Sequence, residues 1–524
     1  AGSTIQIRFT FDTIDAFANG FEGWYIDDIV VETAGLADGP SDYYAFSLNA
    51  GETVGLVAEA LTPGALKLDL YDGTSTLLAS GLGRDNVSQT ISGFIAPAAD
   101  TYYARVRGLD NDYNLVVTRE SGFDEEPNNA FSSAQTLNTS GRSLGHVTPT
   151  DTDWYRFNVN AGDTVTVHTV TPSDDGFEIG NTLDPLIELF DTNNVMVAMD
   201  DNSGPDSRNA MLVHTTAMAG AYRLHVAPAA GTDGEVLVTV SGASGVPSGF
   251  AVEAVIPTNN ALLGAYPAIM TVIFSEAVSL GTLDASDLMV GGMAASSFSA
   301  RDGRTVDFTL PPQGEGTHAV TMASGSVFSV QGGPLEAYSG QFTVDLSGPR
   351  LASSSIMEND LISGDSIAFT AVFTEALNAA VLDAGDFILM GANTGTFTPD
   401  SFNYAPGTMT LVINYSGLPE DDYSLTLFAN QIADTVGNQL DGEPIGFPTG
   451  NGVPGGNFVV NFSIDSIVAP FYGNFGPVDP PGSLIYTGLF AAALQPAGDT
   501  DTFTLPLDTN QTLTVDVSPD PGVL

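Results

Sequence analysis

The chain has 524 residues, of which 63 are acidic and 13 basic, for a formal net charge of -50. A surface that acidic repels nucleic acid and anionic lipid, and no run of about 18 apolar residues supplies a membrane-spanning helix. The 57 Gly and 30 Pro favour strands and turns over helices, and the lack of Cys excludes disulfides, which in a secreted chain leaves bound calcium as the usual stabiliser.

The first stretch, IQIRFTFDTIDAFANGFEGWYIDDIVVE at 5–32, resembles the closing strands of a jelly-roll sandwich, so residues 1–35 are expected to hold only the end of such a domain. A second pattern starts with SDYYAFSLNAGETV at 41–54, returns as DTDWYRFNVNAGDTV at 151–165, and returns again as DTDTFTLPLDTNQTL at 499–513. In the middle copy Tyr155, Phe157 and Val159 alternate with Arg156 and Asn158. After the turn Asn160-Ala161-Gly162-Asp163, Val165 and Val167 alternate with Thr164, Thr166 and His168. Period two on both sides of a short Gly-containing loop predicts a hairpin with one buried face. Asp42, Tyr44, Phe46, Leu48, Gly51 and Val54 repeat the pattern in the first copy, and Asp501, Phe503, Leu505, Leu507 and Leu513 repeat it in the last. The first two copies continue in parallel, LKLDLYDGTSTLLAS (66–80) with LIELFDTNNVMVAMD (186–200) and DTYYARV (100–106) with GAYRLHV (220–226). Short strands separated by turn signals predict β-sandwiches.

The phrases DEEPNNAFSSAQTL, GHVTPTDTDWYRFNVNAGDTV, LDPLIELFD and GAYRLHV resemble the bacterial pre-peptidase C-terminal domain, a module appended to secreted proteases and surface proteins. The resemblance implies one such sandwich at 36–120 with a degraded start, one at 121–243 with an acidic lead-in, and the front half of a third at 467–524. Between them, TVIFSEAVSLGTLDASDLMVGG (271–292) aligns with TAVFTEALNAAVLDAGDFILMG (370–391). Glu276 thereby matches Glu375, Asp284 matches Asp383 and Asp287 matches Asp386. These units, at 244–346 and 347–466, resemble bacterial immunoglobulin-like domains, and IADTVGNQLDG (432–442) belongs to that likeness. The fold class is therefore all-β, a tandem series of jelly-roll-like and Ig-like sandwiches with almost no helix.

Catalysis finds no foothold in the residues. His146, His168, His214, His225 and His318 form no metalloprotease spacing, and His168 falls at a polar-face strand position. The string Gly141-Arg142-Ser143-Leu144-Gly145 fits GxSxG, but a nucleophile elbow needs a strand before it and a helix after it in an α/β sheet. Exposed aromatics for sugar stacking are not identifiable, since Trp24 and Trp154 both sit in framework motifs. Calcium is the remaining chemistry, because it takes six to eight oxygens from acidic loops. The resemblance nominates Glu126, Asn128, Asp151 and Asp153 as metal ligands, against the plain alternative that Asp, Asn and Pro form turns. The repeated acids at 276, 284, 287, 375, 383 and 386 read either as calcium sites between sandwiches or, preferably, as solvated strand ends.

These readings converge on a noncatalytic structural or adhesive segment of a large extracellular or cell-surface bacterial protein, such as a surface layer, filament, stalk or adhesin, with calcium as its cofactor. The alternatives are the accessory region of a secreted hydrolase and a matrix- or carbohydrate-binding module. The partners expected are neighbouring copies of the chain or the rest of a longer polypeptide, with a polysaccharide or matrix polymer as a further possibility, and neither nucleic acid nor a membrane span. The incomplete first and last sandwiches are expected first of all to continue in the parent polypeptide, the alternatives being completion by strands from neighbouring subunits or proteolytic cutting of the ends.

Overall fold

The computed structural model describes residues 41–465, apart from residue 63 and the segments 109–111, 138–140 and 172–180, together with a few short stretches beyond 465. The jelly-roll end expected at 1–35 lies outside the described residues, as does nearly all of the half-copy expected at 467–524. Among the described residues, regular structure is strand throughout, broken only by three-residue 3-10 turns. The all-β tandem-sandwich reading is what the chain adopts.

The first sandwich comprises β1 (Ser41–Leu48), β2 (Thr53–Ala60), β3 (Leu66–Tyr71), β4 (Leu77–Ser80), β5 (Gln89–Ile95), β6 (Asp100–Gly108) and β7 (Tyr113–Arg119). One sheet has the order β1-β6-β3-β4 and the other β5-β2-β7. The second sandwich adds two short lead-in strands, β8 (Gly122–Phe123) and β9 (Gln135–Thr136). It continues through β10 (Arg142–Val147), β11 (Asp153–Val159), β12 (Thr164–Val170), β13 (Pro185–Phe190), β14 (Met196–Asp200), β15 (Met211–Thr215), β16 (Gly220–Pro228) and β17 (Gly234–Ser241). Its sheets run β15-β12-β17-β10-β8 and β14-β13-β16-β11-β9. The alternation read in 153–167 holds, since Tyr155, Phe157, Val159, Val165 and Val167 all enter one apolar core. Gly51 and Gly162 sit at φ +80° and +91° in the two hairpin loops, a left-handed conformation that costs a side chain with a Cβ but not glycine.

The third and fourth sandwiches share a strand plan. In the third, Val252–Ile256, Ile269–Phe274, Thr305–Thr309 and Ser297–Ala300 form one sheet. In the fourth, Leu351–Ser354, Ser366–Phe373, Thr410–Ser416 and Ser401–Ala405 repeat it in the same order. Their recurring aspartates turn out to be turn formers. Asp284 accepts from Ser286 N while its own N–H donates to Asp287, and Asp383, Gly385 and Asp386 do the same. Each pair closes a 3-10 turn at the start of a strand. Asp284 and Asp383 are exposed, as solvated strand ends would be, whereas Asp386 is buried and Glu276 is bonded to Arg156, so the solvated-end reading does not hold for those two.

The first three sandwiches belong to one compact unit and the fourth to a second. Within the first unit, contact is not limited to chain neighbours. Val330 of the third sandwich lies in the apolar core of the first, and its carbonyl accepts from Ile95 N at 3.2 Å. Gln331 Nε2 donates to Ser92 O at 3.3 Å, and Gly303 N donates to Gly81 O at 3.1 Å. The second sandwich reaches the third through Glu276, which accepts from Arg156 and from Thr136 Oγ1.

A shared core couples stabilities. Val330→Asp, a change in the third sandwich, should cost about 3 kcal/mol by burying an unpaired charge. It should also lower hydrogen-exchange protection in β2 and β5 of the first. Loss of protection confined to the third sandwich would contradict the shared core.

Candidate metal centre

The lead-in to the second sandwich crosses between its two sheets. β8 pairs in parallel with β10 at one sheet edge, and β9 pairs in parallel with β11 at the edge of the other. The residues between them, 124–134, pass over the seam of the sandwich. Extended backbone turns successive side chains to opposite sides. Asp124 and Glu126 accordingly face inward, while Glu125 points away to an ion pair with Arg84 of the first sandwich at 2.6 Å. β11 brings a third carboxylate by the same rule, since Asp153 shares the face of Tyr155, Phe157 and Val159 and is fully buried.

Carboxylate oxygens of Asp124, Glu126 and Asp153 all lie within 4.8 Å of one another. Asn128, also fully buried, donates its side-chain amide to Asp124 and its backbone N–H to Glu126 Oε2 at 2.8 Å. Asn129 Nδ2 reaches the same Glu126 oxygen at 3.2 Å. The Tyr155 hydroxyl lies 2.9 Å from Asp153 Oδ2 and 3.1 Å from Asp124 Oδ1, so its single proton serves one of them at a time. Three buried oxygens are left with no hydrogen-bond partner: Glu126 Oε1, Asn128 Oδ1 and Asp153 Oδ1.

Of the four residues nominated from sequence, Glu126, Asn128 and Asp153 come together. Asp151 stays half-buried beside the group, its charge raising the pKa values of Glu126, Asp124 and Asp153 without entering the trio. Asp124 was absent from the nominated set although it stands in the same acidic run, and its signal was the alternation that separates 124 and 126 from 125. Gly145 was also missed. A Cβ there would lie 2.8 Å from Asp153 Oδ2 and 3.2 Å from the Tyr155 hydroxyl, so glycine opens the space the carboxylate fills. The GxSxG string thus serves packing. Ser143 is buried inside strand β10 instead of exposed at a strand-to-helix turn. His168 is half-buried on β12, with its pKa lowered by burial and by Arg142.

In the first sandwich the equivalent Asp42 is exposed and accepts from the Tyr113 hydroxyl at 2.6 Å. Among the described residues, β1 is the edge of its sheet. A second acidic trio, Asp345, Glu375 and Asp434, stands in the second compact unit. There Asp434 Oδ1 accepts the backbone N–H groups of Val436, Gly437 and Asn438, which ties that carboxylate to its own turn.

Three buried carboxylates this close repel one another. Burial, and then the charge of Glu126, pushes the Asp124 pKa up to about 7. Burial, and then Asp124, raises Asp153 well above the usual carboxylate range, and burial raises Glu126. A folded-state pKa above the unfolded one means that the native state holds extra protons between about pH 4 and pH 7. Stability therefore falls as pH rises through that window. Chain stripped of cations should melt several degrees lower at pH 8 than at pH 5, and Asp153→Asn should flatten that difference. An equal pH dependence in both proteins would contradict this electrostatic account.

No curated protein matches the chain. Among solved structures, the N-terminal part of the bacterial S-layer protein SbsC is similar over 41% of this chain and 44% of its own, at 16% identity and a TM-score of 0.16. The chain thus spans less than half of that structure. The Bacteroides ovatus mixed-linkage glucan utilization protein SGBP-B is similar over 60% of this chain and 68% of its own, at 10% identity and a TM-score of 0.14. The D00-D0 domain of Intimin is similar over 40% of this chain and 98% of its own, at 12% identity and a TM-score of 0.18. At these TM-scores none of the three bears on function. From the Asp151-Thr152-Asp153 turn to the end of β16, residues 151–228, the second sandwich matches the family model of the bacterial pre-peptidase C-terminal domain.

Proposed function

We propose that this chain is a noncatalytic structural or adhesive segment of a bacterial surface or secreted protein, and that calcium holds its second sandwich closed. The observation that carries the calcium reading is the set of three buried, partnerless oxygens on Glu126, Asn128 and Asp153 beside the Asp124 carboxylate. Burying polar oxygens unpaired costs free energy that a cation recovers. The donors are all hard oxygens, which suit calcium or magnesium over zinc, whose sites favour nitrogen and sulfur. Magnesium keeps several waters and demands near-octahedral order, whereas calcium accepts an irregular set such as this one. Three carboxylates with one divalent ion leave a single net negative charge where three stood.

The pre-peptidase match over 151–228 supports an extracellular setting. The three sandwiches of the first unit, joined through a shared core and buried polar contacts, suit a load-bearing or spacing role. The family match also favours a second reading, in which the chain is the accessory part of a secreted hydrolase. Electron microscopy of the calcium-loaded chain separates the two: ordered assemblies support the structural reading, and a uniform monomer the accessory one.

Extracellular calcium modules bind with dissociation constants of about 0.1 to 1 mM. At about 100-fold excess over a 0.1 mM constant, binding should add about 2.7 kcal/mol to stability. Chelator-treated chain should therefore melt about 5 °C or more higher in 10 mM calcium, and Asp153→Asn should lose most of that gain. Absence of both a melting shift and calorimetric heat at millimolar calcium would remove the proposal.

A further inference from the structure

The outer face of the β14-β13-β16-β11-β9 sheet, opposite the metal centre's core side, carries an unusual set of side chains. Strand register lines them up in two rows. Trp154 stands opposite His225, His225 opposite Glu188, and Glu188 opposite Met199. In the next row Arg156 stands opposite Arg223, Arg223 opposite Phe190, and Phe190 opposite Met196. With strands about 4.8 Å apart, each row is about 14 Å long. Trp154 stacks on His225 at 4.4 Å and meets Phe190 and Phe131 at 5.2 Å each. All four rings are half-buried, so part of each stays in solvent, and Met196 and Met199 are 47% and 56% exposed. His225 Nδ1 and Glu188 Oε2 form a 2.9 Å pair in the middle of the face.

Arg223 is the exceptional member. Its guanidinium lies over the Phe131 ring at 4.2 Å, and its Nε is buried without a hydrogen-bond partner. Half-buried Arg84, Arg105, Arg107 and Arg156 each pair with a carboxylate. Among the described residues Arg223 pairs with none, in a chain holding 63 acidic residues and 13 basic ones. Burial, and then the charge of Arg156, lowers its pKa. Packing of an arginine on a phenylalanine is a common surface device worth about 0.5–2 kcal/mol. That device accounts for the ring contact. It leaves the terminal nitrogens of Arg223, which have no hydrogen-bond partner among the described residues, and the exposed thioethers without a role.

We propose that this face binds a glycan through a sugar bearing a single carboxylate, which takes the two terminal nitrogens of Arg223 while the sugar's apolar faces cover Trp154, Phe190 and the two methionines. Arginine holds carboxylates in planar two-point contact, and the Glu188–His225 pair offers an acceptor and a donor to flanking hydroxyls. The carboxylate must be an isolated one. A surface with a net charge of -50 repels a polyanion, and one uronic acid among neutral sugars escapes most of that repulsion. The inference relies on the extracellular reading for its ligand class and is independent of calcium.

The test uses the calcium-loaded full chain and two related probes, xylotriose carrying one methylglucuronic acid and neutral xylotetraose. Calorimetry should show the acidic probe binding roughly tenfold more tightly than the neutral one. Arg223→Gln should abolish that preference, whereas Arg142→Gln, at the exposed start of β10, should leave it intact. A folding defect in the Arg223 variant is bypassed by the emission of Trp154 in a Trp24→Phe chain that keeps Arg223, which should change on saturation with the acidic probe. Equal affinity for the two sugars, no binding of either, or an Arg223→Gln protein that binds as before would each overturn the proposal. So would equally tight binding of an acetylated Ala-Glu-Ala peptide at this face, which would mark a protein partner. None of these failures alters the melting shift expected with calcium, so the two proposals fall separately.

Discussion

Mutual repulsion among Asp124, Glu126 and Asp153 is the constraint on which the second sandwich turns. Their oxygens gather within 4.8 Å in a space with almost no solvent. Water cannot screen them there, and the donors at hand are too few. Asn128, Asn129 and Tyr155 satisfy some oxygens and leave three without a partner. Such an arrangement persists only if protons or a cation neutralise it. The choice between those two neutralisers makes stability depend on the surroundings.

The same residues solve a second problem, that of sheet edges. An uncovered edge strand invites pairing with another chain. Among the described residues, β1 of the first sandwich stands at the edge of its sheet. In the second, β8 and β9 cover one edge strand in each sheet, and the segment joining them carries the acidic cluster across the seam. The segment also holds the first sandwich, since Asn86 Nδ2 donates to Asp124 O at 3.1 Å and Arg84 pairs with Glu125. One short acidic stretch therefore closes a sandwich on its inner side and joins two sandwiches on its outer side. Its inward residues and outward residue are sorted by the alternation of an extended chain.

Alternation made much of this legible in the sequence. The faces of β11 and β12 follow directly from period two, and with them the position of Asp153 on the core side of its strand. The same rule, applied to Asp124, would have completed the trio; a nomination carried over from a family motif passed it by. Gly145 was illegible because its role is the absence of an atom, visible only once Asp153 and Tyr155 are in place. The repeated aspartates at 284 and 383 were correctly assigned to strand ends, though the reciprocal turn they form needs coordinates to see. Contacts between the first and third sandwiches left no sequence trace, since Val330 reads as one more apolar residue. The aromatic face was hidden for a related reason. Phe131, Trp154, Phe190 and His225 are far apart in the chain, and only strand register assembles them.

Crystals of the chain grown with calcium, measured at a wavelength where calcium scatters anomalously, offer the most direct check on the cluster. The account predicts a difference peak about 2.3–2.6 Å from oxygens of Asp124, Glu126, Asn128 and Asp153. A map that is empty there, with the three oxygens satisfied by water or by each other, would contradict it.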